Sequence, residues 1–304
     1  MKVREFGIEL PLLAAGVIWG SSFVTGKIGV EHMDPVLFSL LRYVFATMSI
    51  VPLLLLFKHF DRSVMKSPIV FLIAALNTLA INMQNIGMTM TTATNTVLLV
   101  DINVVFIAIL AVYVLRERMT RRLMAGLILA LVGVFITSTN GDISSLGGGS
   151  MVGDLLAFGA GITWAFYVVY LTKTLKSGTA IVSGTFAIII WTTIIQLPIT
   201  LLYAPDLSTD GTGLAMALYT GVFCTTIAFT LYSFGLRSLG ATKTSIALLI
   251  EIVFGMLFAV IFLSEIPTIG TVAGGLLILI AVILISVKTK KEKEVGKEVA
   301  PAQE

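Results

Sequence analysis

Ten apolar stretches follow one another along the chain, at 8–28, 35–57, 68–88, 96–115, 121–140, 151–171, 180–203, 212–235, 244–263 and 268–287. A helix needs about 20 apolar residues to cross about 30 Å of hydrocarbon. Runs such as LLLLF (53–57), FIAILAVYVL (106–115) and GGLLILIAVILIS (274–286) do not alternate with polar residues. A membrane-barrel strand would show about ten residues of alternating polarity. Helices satisfy their own backbone groups in lipid, so the pattern predicts ten transmembrane helices. The connections are short and carry turn residues, as in YAPDLSTDG (203–211) and NGDISSLGGGS (140–150). The GGGS at 147–150 lacks the lysine and the strand–helix setting of a phosphate loop. From Lys288 the chain reads KTKKEKEVGKEVAPAQE, charged and with no apolar face, which predicts a disordered extension.

Composition removes the soluble alternatives. Of the 304 residues, 57% are hydrophobic and 12% charged, with a mean hydropathy of +1.01. A soluble domain carries about 25% charged residues. The fold class is therefore an all-α integral membrane protein. The single cysteine, Cys224, excludes an intramolecular disulfide. His32 and His59 fall in predicted loops with no metal-ligand spacing, so neither metal nor cofactor is expected. The first apolar stretch is long, has no clear cleavage site and is followed by many others, so no cleavable signal peptide is expected.

Charge sets the orientation. With the N-terminus in the cytoplasm, 18 of the 20 lysines and arginines lie on the cytoplasmic side. The two exceptions are Lys27, at the outer end of helix 1, and Arg42, inside helix 2. The outer loops hold Glu31, Asp34, Asp142, Asp206, Asp210 and Glu265 but no cation. This is the positive-inside bias, and it predicts a multi-pass plasma-membrane protein with both termini cytoplasmic.

The chain also repeats itself. LRERMT at 115–120 and LSEIPT at 263–268 share Leu115/Leu263, Glu117/Glu265 and Thr120/Thr268, each pair 148 residues apart. Ala125/Ala273, Gly126/Gly274 and Ser138/Ser286 keep that offset, as do Gly87/Gly235 and Ala93/Ala241 upstream. GVIWG (16–20) resembles GITWA (161–165) at an offset of 145. Five helices per half is an odd number, so the second half must enter from the opposite side. That explains why only the first copy of the motif carries arginines. The expected organisation is two inverted repeats, 1–145 and 146–287, around a central cavity, followed by the tail 288–304.

Trp19-Gly20 in helix 1, Arg42 in helix 2, the paired Leu-x-Glu-x-x-Thr motifs and Glu251 in helix 9 resemble the drug/metabolite transporter superfamily, specifically its EamA-type ten-helix exporters. The resemblance covers residues 8–287. It implies a pseudo-symmetric basket of helices and alternating access. Such proteins usually carry a proline after the polar position of helices 4 and 9. Asp101-Ile-Asn103 and Glu251-Ile252 lack it, so no unwinding is expected at either.

Ionisable groups at membrane depth are the first functional candidates. Counting from the predicted helix ends, Arg42 lies roughly 10 Å deep, Asp101 roughly 8 Å from the same side, and Glu251 roughly 10 Å from the other. Arg42 and Asp101 then share one half of the membrane, where they can pair. Glu251 has no evident cation and becomes the candidate proton-coupling residue. Asn77 and Gln84, seven residues apart on one face of helix 3, and Asn103 on helix 4 either line a polar cavity or bond helices together. Trp19, Trp164 and Tyr167 either face a substrate or pack the core. The GVIWG and GITWA glycines read as helix-packing positions, Thr120 and Thr268 as N-caps, and Glu117 and Glu265 as turn residues.

The expected function is secondary transport, with export of small organic metabolites such as amino acids following from the resemblance. An uncoupled facilitator or a non-transporting membrane sensor or scaffold are the alternatives. An enzyme would need a clustered catalytic set, which the sequence does not show. The expected partners are a small-molecule substrate and the lipid bilayer, with a homodimer as an option and no nucleic acid.

Overall fold

A computed structural model describes residues 10–57, 60–91, 96, 99–144, 150–204, 206–263 and 268–286. The 288–304 tail, the GGGS loop at 147–149 and Glu265 lie outside these residues. The described chain is all helical, apart from one isolated β-bridge between Met33 and Thr209.

The helices are α1 (Leu10–Glu31), α2 (Pro35–Phe57), α3 (Pro68–Met90), α4 (Asn103–Val114), α5 (Arg121–Thr139), α6 (Met151–Lys176), α7 (Ile181–Tyr203), α8 (Gly211–Tyr219), α9 (Ala228–Leu239), α10 (Ala241–Leu248), α11 (Ile250–Leu263) and α12 (Ile269–Ser286). A 3₁₀ turn, Arg62–Lys66, precedes α3, and a π-helical stretch, Thr220–Ile227, joins α8 to α9. Among the described residues, each predicted apolar stretch falls mainly in helix. Among the described residues seven helices are long and apolar enough to cross a membrane, and Leu99–Val114 and Ile269–Ile285 are shorter apolar helices.

Local chemistry fixes the helix ends. Thr120 caps α5 by accepting the Leu123 N–H at 3.1 Å. Thr268 accepts the Thr271 N–H at 3.1 Å, at the start of α12. Both N-caps lie where the sequence predicts them. Asp210 caps α8 through the Gly213 N–H at 2.7 Å and accepts from, or pairs with, His32 Nδ1 at 2.7 Å. The Gly213 N–H first, and His32 second, hold the Asp210 carboxyl below the ordinary aspartate range. A lowered carboxyl pKa stabilises the fold above its unfolded value, and that contribution is lost as pH falls through the folded value. Acidification below the ordinary aspartate range is therefore expected to lower the protection of the Gly213 amide relative to its intrinsic exchange rate at the same pH. Unchanged protection there would show that Asp210 does not hold the helix end.

Helices far apart in sequence are neighbours in the bundle. The most extensive pairings are α5 with α12 and α3 with α6, and α1 packs along α11 and α2 along α7. The α5–α12 pair is joined at both ends. Asn140, left-handed at φ 54°, closes α5 and accepts the Gly270 N–H of α12 at 2.7 Å. At the other end Arg122 Nε donates to the Leu284 carbonyl. A buried, mostly aliphatic core draws on α1, on α3 to α7 and on α9 to α12.

Two interruptions lie in the bundle. Ile102 (φ −59°, ψ −12°) separates the helical turn at 99–101 from α4, and Leu249 (φ −55°, ψ −9°) separates α10 from α11. The absence of proline predicts no unwinding at either place, and each break is confined to a single residue whose dihedrals stay in the right-handed helical region. At each site one residue of 3₁₀ geometry replaces an i→i−4 bond with an i→i−3 bond. Val105 N–H donates to Ile102 O at 3.0 Å and Ile252 N–H to Leu249 O at 3.1 Å. The amides remain bonded, so no proline is needed.

Candidate functional site

The small residues of α1 and α6 bring these interruptions to the centre. A Cβ on Gly20 would lie 2.9 Å from the Glu251 carbonyl, 2.9 Å from Gly255 N and 2.7 Å from Phe254 Cβ. A Cβ on Gly161 would lie 2.8 Å from Leu99 O and 2.9 Å from Val100 O. The glycines thus let α1 and α6 press against the backbone beside Glu251 and Asp101 respectively, as their packing role predicts. α10 packs on α4, bringing the two interrupted segments together.

The two interrupted segments consequently bring their carboxyls into one region. Asp101 and Glu251 lie within electrostatic reach of each other. This differs from the depths read off the sequence, which place them in opposite halves of the membrane. The apolar span that contains Glu251, Ala241–Phe262, opens at Ala241 rather than 244. Three residues of helix are about 4.5 Å of depth, enough to move a side chain to the midplane.

Asp101 is 7% exposed, and its Oδ2 has no hydrogen-bond partner. Neither carboxyl hydrogen-bonds a described residue, and no cation interacts with either. Arg42 does not pair with Asp101. Its Nε donates instead to Thr225 Oγ1 at 2.7 Å. The ion pairs among the described residues are His32–Asp210 and Lys176–Glu117.

The π-helical stretch explains where Arg42 goes. Thr225 Oγ1 donates to Thr220 O, five residues back, at 3.0 Å, leaving its oxygen lone pair for the guanidinium. The wider turn also leaves the Cys224 carbonyl for Trp19, whose Nε1 donates to it at 2.7 Å. Gly221 allows the close approach of α2, since a Cβ there would lie 2.5 Å from Arg42 O.

Aromatic rings join these parts. Trp19 packs edge-on against Phe229 (5.4 Å) and Tyr232 (5.1 Å), and Trp164 against Tyr167 (5.2 Å). Phe229 stands between the two tryptophans, 6.5 Å from Trp164. The Tyr167 hydroxyl has those of Tyr43 and Tyr232 within electrostatic reach, and Tyr232 has Glu251. Trp19, Trp164, Arg42, Asn103 and Glu251 are each only partly covered.

The polar residues of α3 divide between two roles. Asn77 is fully buried and donates to Tyr43 OH (2.7 Å) and Thr192 Oγ1 (3.0 Å), tying α3 to α2 and α7. Asn82 and Gln196 exchange two amide bonds (2.7 and 3.1 Å). Gln84 reaches the aromatic cluster by accepting from Trp164 Nε1 at 3.0 Å. Asn103 hydrogen-bonds no described residue. Phe229 and Tyr232 are members that the sequence analysis does not single out. Their spacing of three residues on one helix face was the available signal. Trp191, whose Nε1 donates to Met65 O at 2.9 Å, is structural.

Glu117 also acts beyond its own turn. Its carboxylate accepts from Ala241 N (2.8 Å), Thr242 N (3.2 Å) and Thr242 Oγ1 (2.9 Å), capping α10 from 124 residues away, with Lys176 at 3.4 Å.

A bundle of apolar helices, interrupted beside a buried Asp101 and a partly covered Glu251, is a multi-pass membrane protein of transporter type. Its sequence matches the EamA-like transporter family twice, over residues 7–139 and 151–287, and the chain belongs to that family. An uncharacterized transporter of Archaeoglobus fulgidus is 26% identical over 288 residues, covering 92% of this chain and 97% of its own. A probable amino-acid metabolite efflux pump of Salmonella typhimurium is 25% identical over 285 residues, covering 86% and 89%. A protein of known crystal structure shares the fold with a TM-score of 0.79 over 94% of this chain and 97% of its own, at 15% identity.

Proposed function

We propose that this transporter is a secondary exporter of small organic metabolites, amino acids among them, working by alternating access. It sits in the plasma membrane as ten helices in two inverted repeats, 1–145 and 146–287, with both termini in the cytoplasm. Four findings support that organisation. The family model matches each half separately. The packing pairs exchange under the repeat, since α3 with α6 answers to α1 with the α8–α9 segment, and α1 with α11 to α6 with α4. The interruptions at Ile102 and Leu249 have nearly equal dihedrals. The cations gather on one predicted side. The export direction and amino-acid class follow the Salmonella relative's name.

The observation that carries the reading is the meeting of Asp101 and Glu251 at paired helix interruptions. Two carboxyls in a medium of low dielectric cannot both stay charged without a positive partner. Glu251 then serves as the site where a proton is taken up and released. Trp19, Trp164, Tyr167, Gln84 and Asn103 contact the substrate, Arg42 stands at the edge of the site, and Asn77 supports it through Tyr43.

Flux into proteoliposomes, for a panel of amino acids and other metabolites with and without a pH gradient, tests this. Solute movement driven by the gradient is expected, and no movement under any gradient would end the transporter reading for this chain. Glu251→Gln is expected to abolish the dependence on the gradient. A pH response that survives it would leave an uncoupled facilitator or another proton site.

A further inference from the structure

We propose that Asp101 and Glu251, with the rings of Trp19, Phe229, Tyr232, Trp164 and Tyr167, form a recognition site for one organic monocation, an ammonium group carried on an apolar or aromatic body. The proposal rests on the transporter reading and names the substrate class of that same site. Two carboxyls converge where no lysine, arginine or histidine of the described residues interacts with either. The cation of this region, Arg42, is engaged with Thr225. Asp101 is 7% exposed with an orphaned Oδ2, so a buried acceptor lacks its donor. Such an acceptor costs free energy until a donor arrives, more so when charged. An ammonium supplies both the donor and the charge.

The surroundings exclude other occupants. A divalent metal asks for more ligands than two carboxyls, and among the described residues no group of three His, Cys, Asp or Glu exists. An anion would meet two acidic side chains. Tyr232 instead lies within electrostatic reach of Glu251, and Trp19 packs 5.1 Å from Tyr232 and 5.4 Å from Phe229. Ring faces attract cations and cover the hydrocarbon attached to them. Trp19, Trp164 and Glu251 are only partly covered by protein, which leaves surface for a ligand to occupy. The carboxyls lie on segments at two interruptions, so a ligand held between them bridges the parts of the fold that alternating access requires to move.

The test uses the full chain in detergent with Trp191→Phe, so that tryptophan fluorescence reports Trp19 and Trp164. The probes are benzyltrimethylammonium, benzyl alcohol and benzoate. Saturable quenching by benzyltrimethylammonium is expected, with benzyl alcohol and benzoate weaker by about tenfold or more. Asp101→Asn and Glu251→Gln are each expected to weaken the cation by about tenfold or more while leaving benzyl alcohol unchanged. Equal affinity for all three probes, or no saturable cation binding, would overturn the proposal in the otherwise unaltered protein, whether or not the carboxyl variants fold. Cation binding unaffected by both substitutions would overturn it too. Flux distinguishes the two levels: transport of neutral or anionic metabolites without cation binding sinks the substrate class and leaves a transporter.

Discussion

Alanine at Gly20 is expected to lower the stability of the protein by about 1–3 kcal/mol, the range for overpacking a well-packed contact. The added Cβ would meet Phe254 Cβ at 2.7 Å and two backbone atoms, Glu251 O and Gly255 N, each at 2.9 Å. A flexible side chain can turn aside, but a helix backbone cannot. α1 and α11 must separate, and the separation moves the segment that carries Glu251. Leucine at the same position is expected to leave no folded protein. Gly26 lies on the same helix, and a methyl group added there would meet nothing within 4 Å, so Gly26→Ala is the control and is expected to be neutral or slightly stabilising. Thermal unfolding in detergent decides it. Equal midpoints for Gly20→Ala and Gly26→Ala would show that the α1–α11 contact is loose.

Removing the Glu117 carboxylate is expected to cost roughly 3 kcal/mol, about 1 kcal/mol for each of its three donors. Ala241 N, Thr242 N and Thr242 Oγ1 lose their acceptor, and the first turn of α10 is left open. Lys176 adds little, being 42% exposed at 3.4 Å, so Lys176→Ala is expected to change stability by less than about 0.5 kcal/mol. Gly240 is bound to the same arrangement. Its φ of +85° is left-handed, and a Cβ there would collide with Glu117 Oε1. Hydrogen exchange at Ala241 and Thr242 measures the effect directly. Protection retained in Glu117→Ala would mean that water caps α10 equally well.

These two positions also show what was legible in the sequence. Helix existence was readable throughout, because lipid imposes long apolar runs and the turns between them are polar. The N-caps at Thr120 and Thr268 were readable because a cap bonds within three residues. Glu117 was visible as half of a repeated motif, but its partner is 124 residues away, and spacing carries no information about that distance. Trp164 and Tyr167, one turn apart, lie in one aromatic cluster with Trp19, whereas Gln84 bonds Trp164 instead of sharing the environment of Asn77. Asp101 and Glu251 stood out singly, yet their meeting depends on where helices begin. A shift of three residues at Ala241 was enough to misplace Glu251. The interruptions at Ile102 and Leu249 had no sequence mark, because a single 3₁₀ residue needs neither proline nor glycine.

The double fastening of α5 to α12, by Asn140 on Gly270 and Arg122 on Leu284, has a consequence for the order of assembly. During synthesis α5 emerges about 130 residues before the helix it must grip. Until then its face, with Gly126 and Gly133 set to receive Ile285 and Ile278, stays open to lipid or to an insertion factor. The α5 face is therefore closed only once α12 is made, and a nascent chain halted before Ile269 is expected to remain a substrate for quality-control proteolysis.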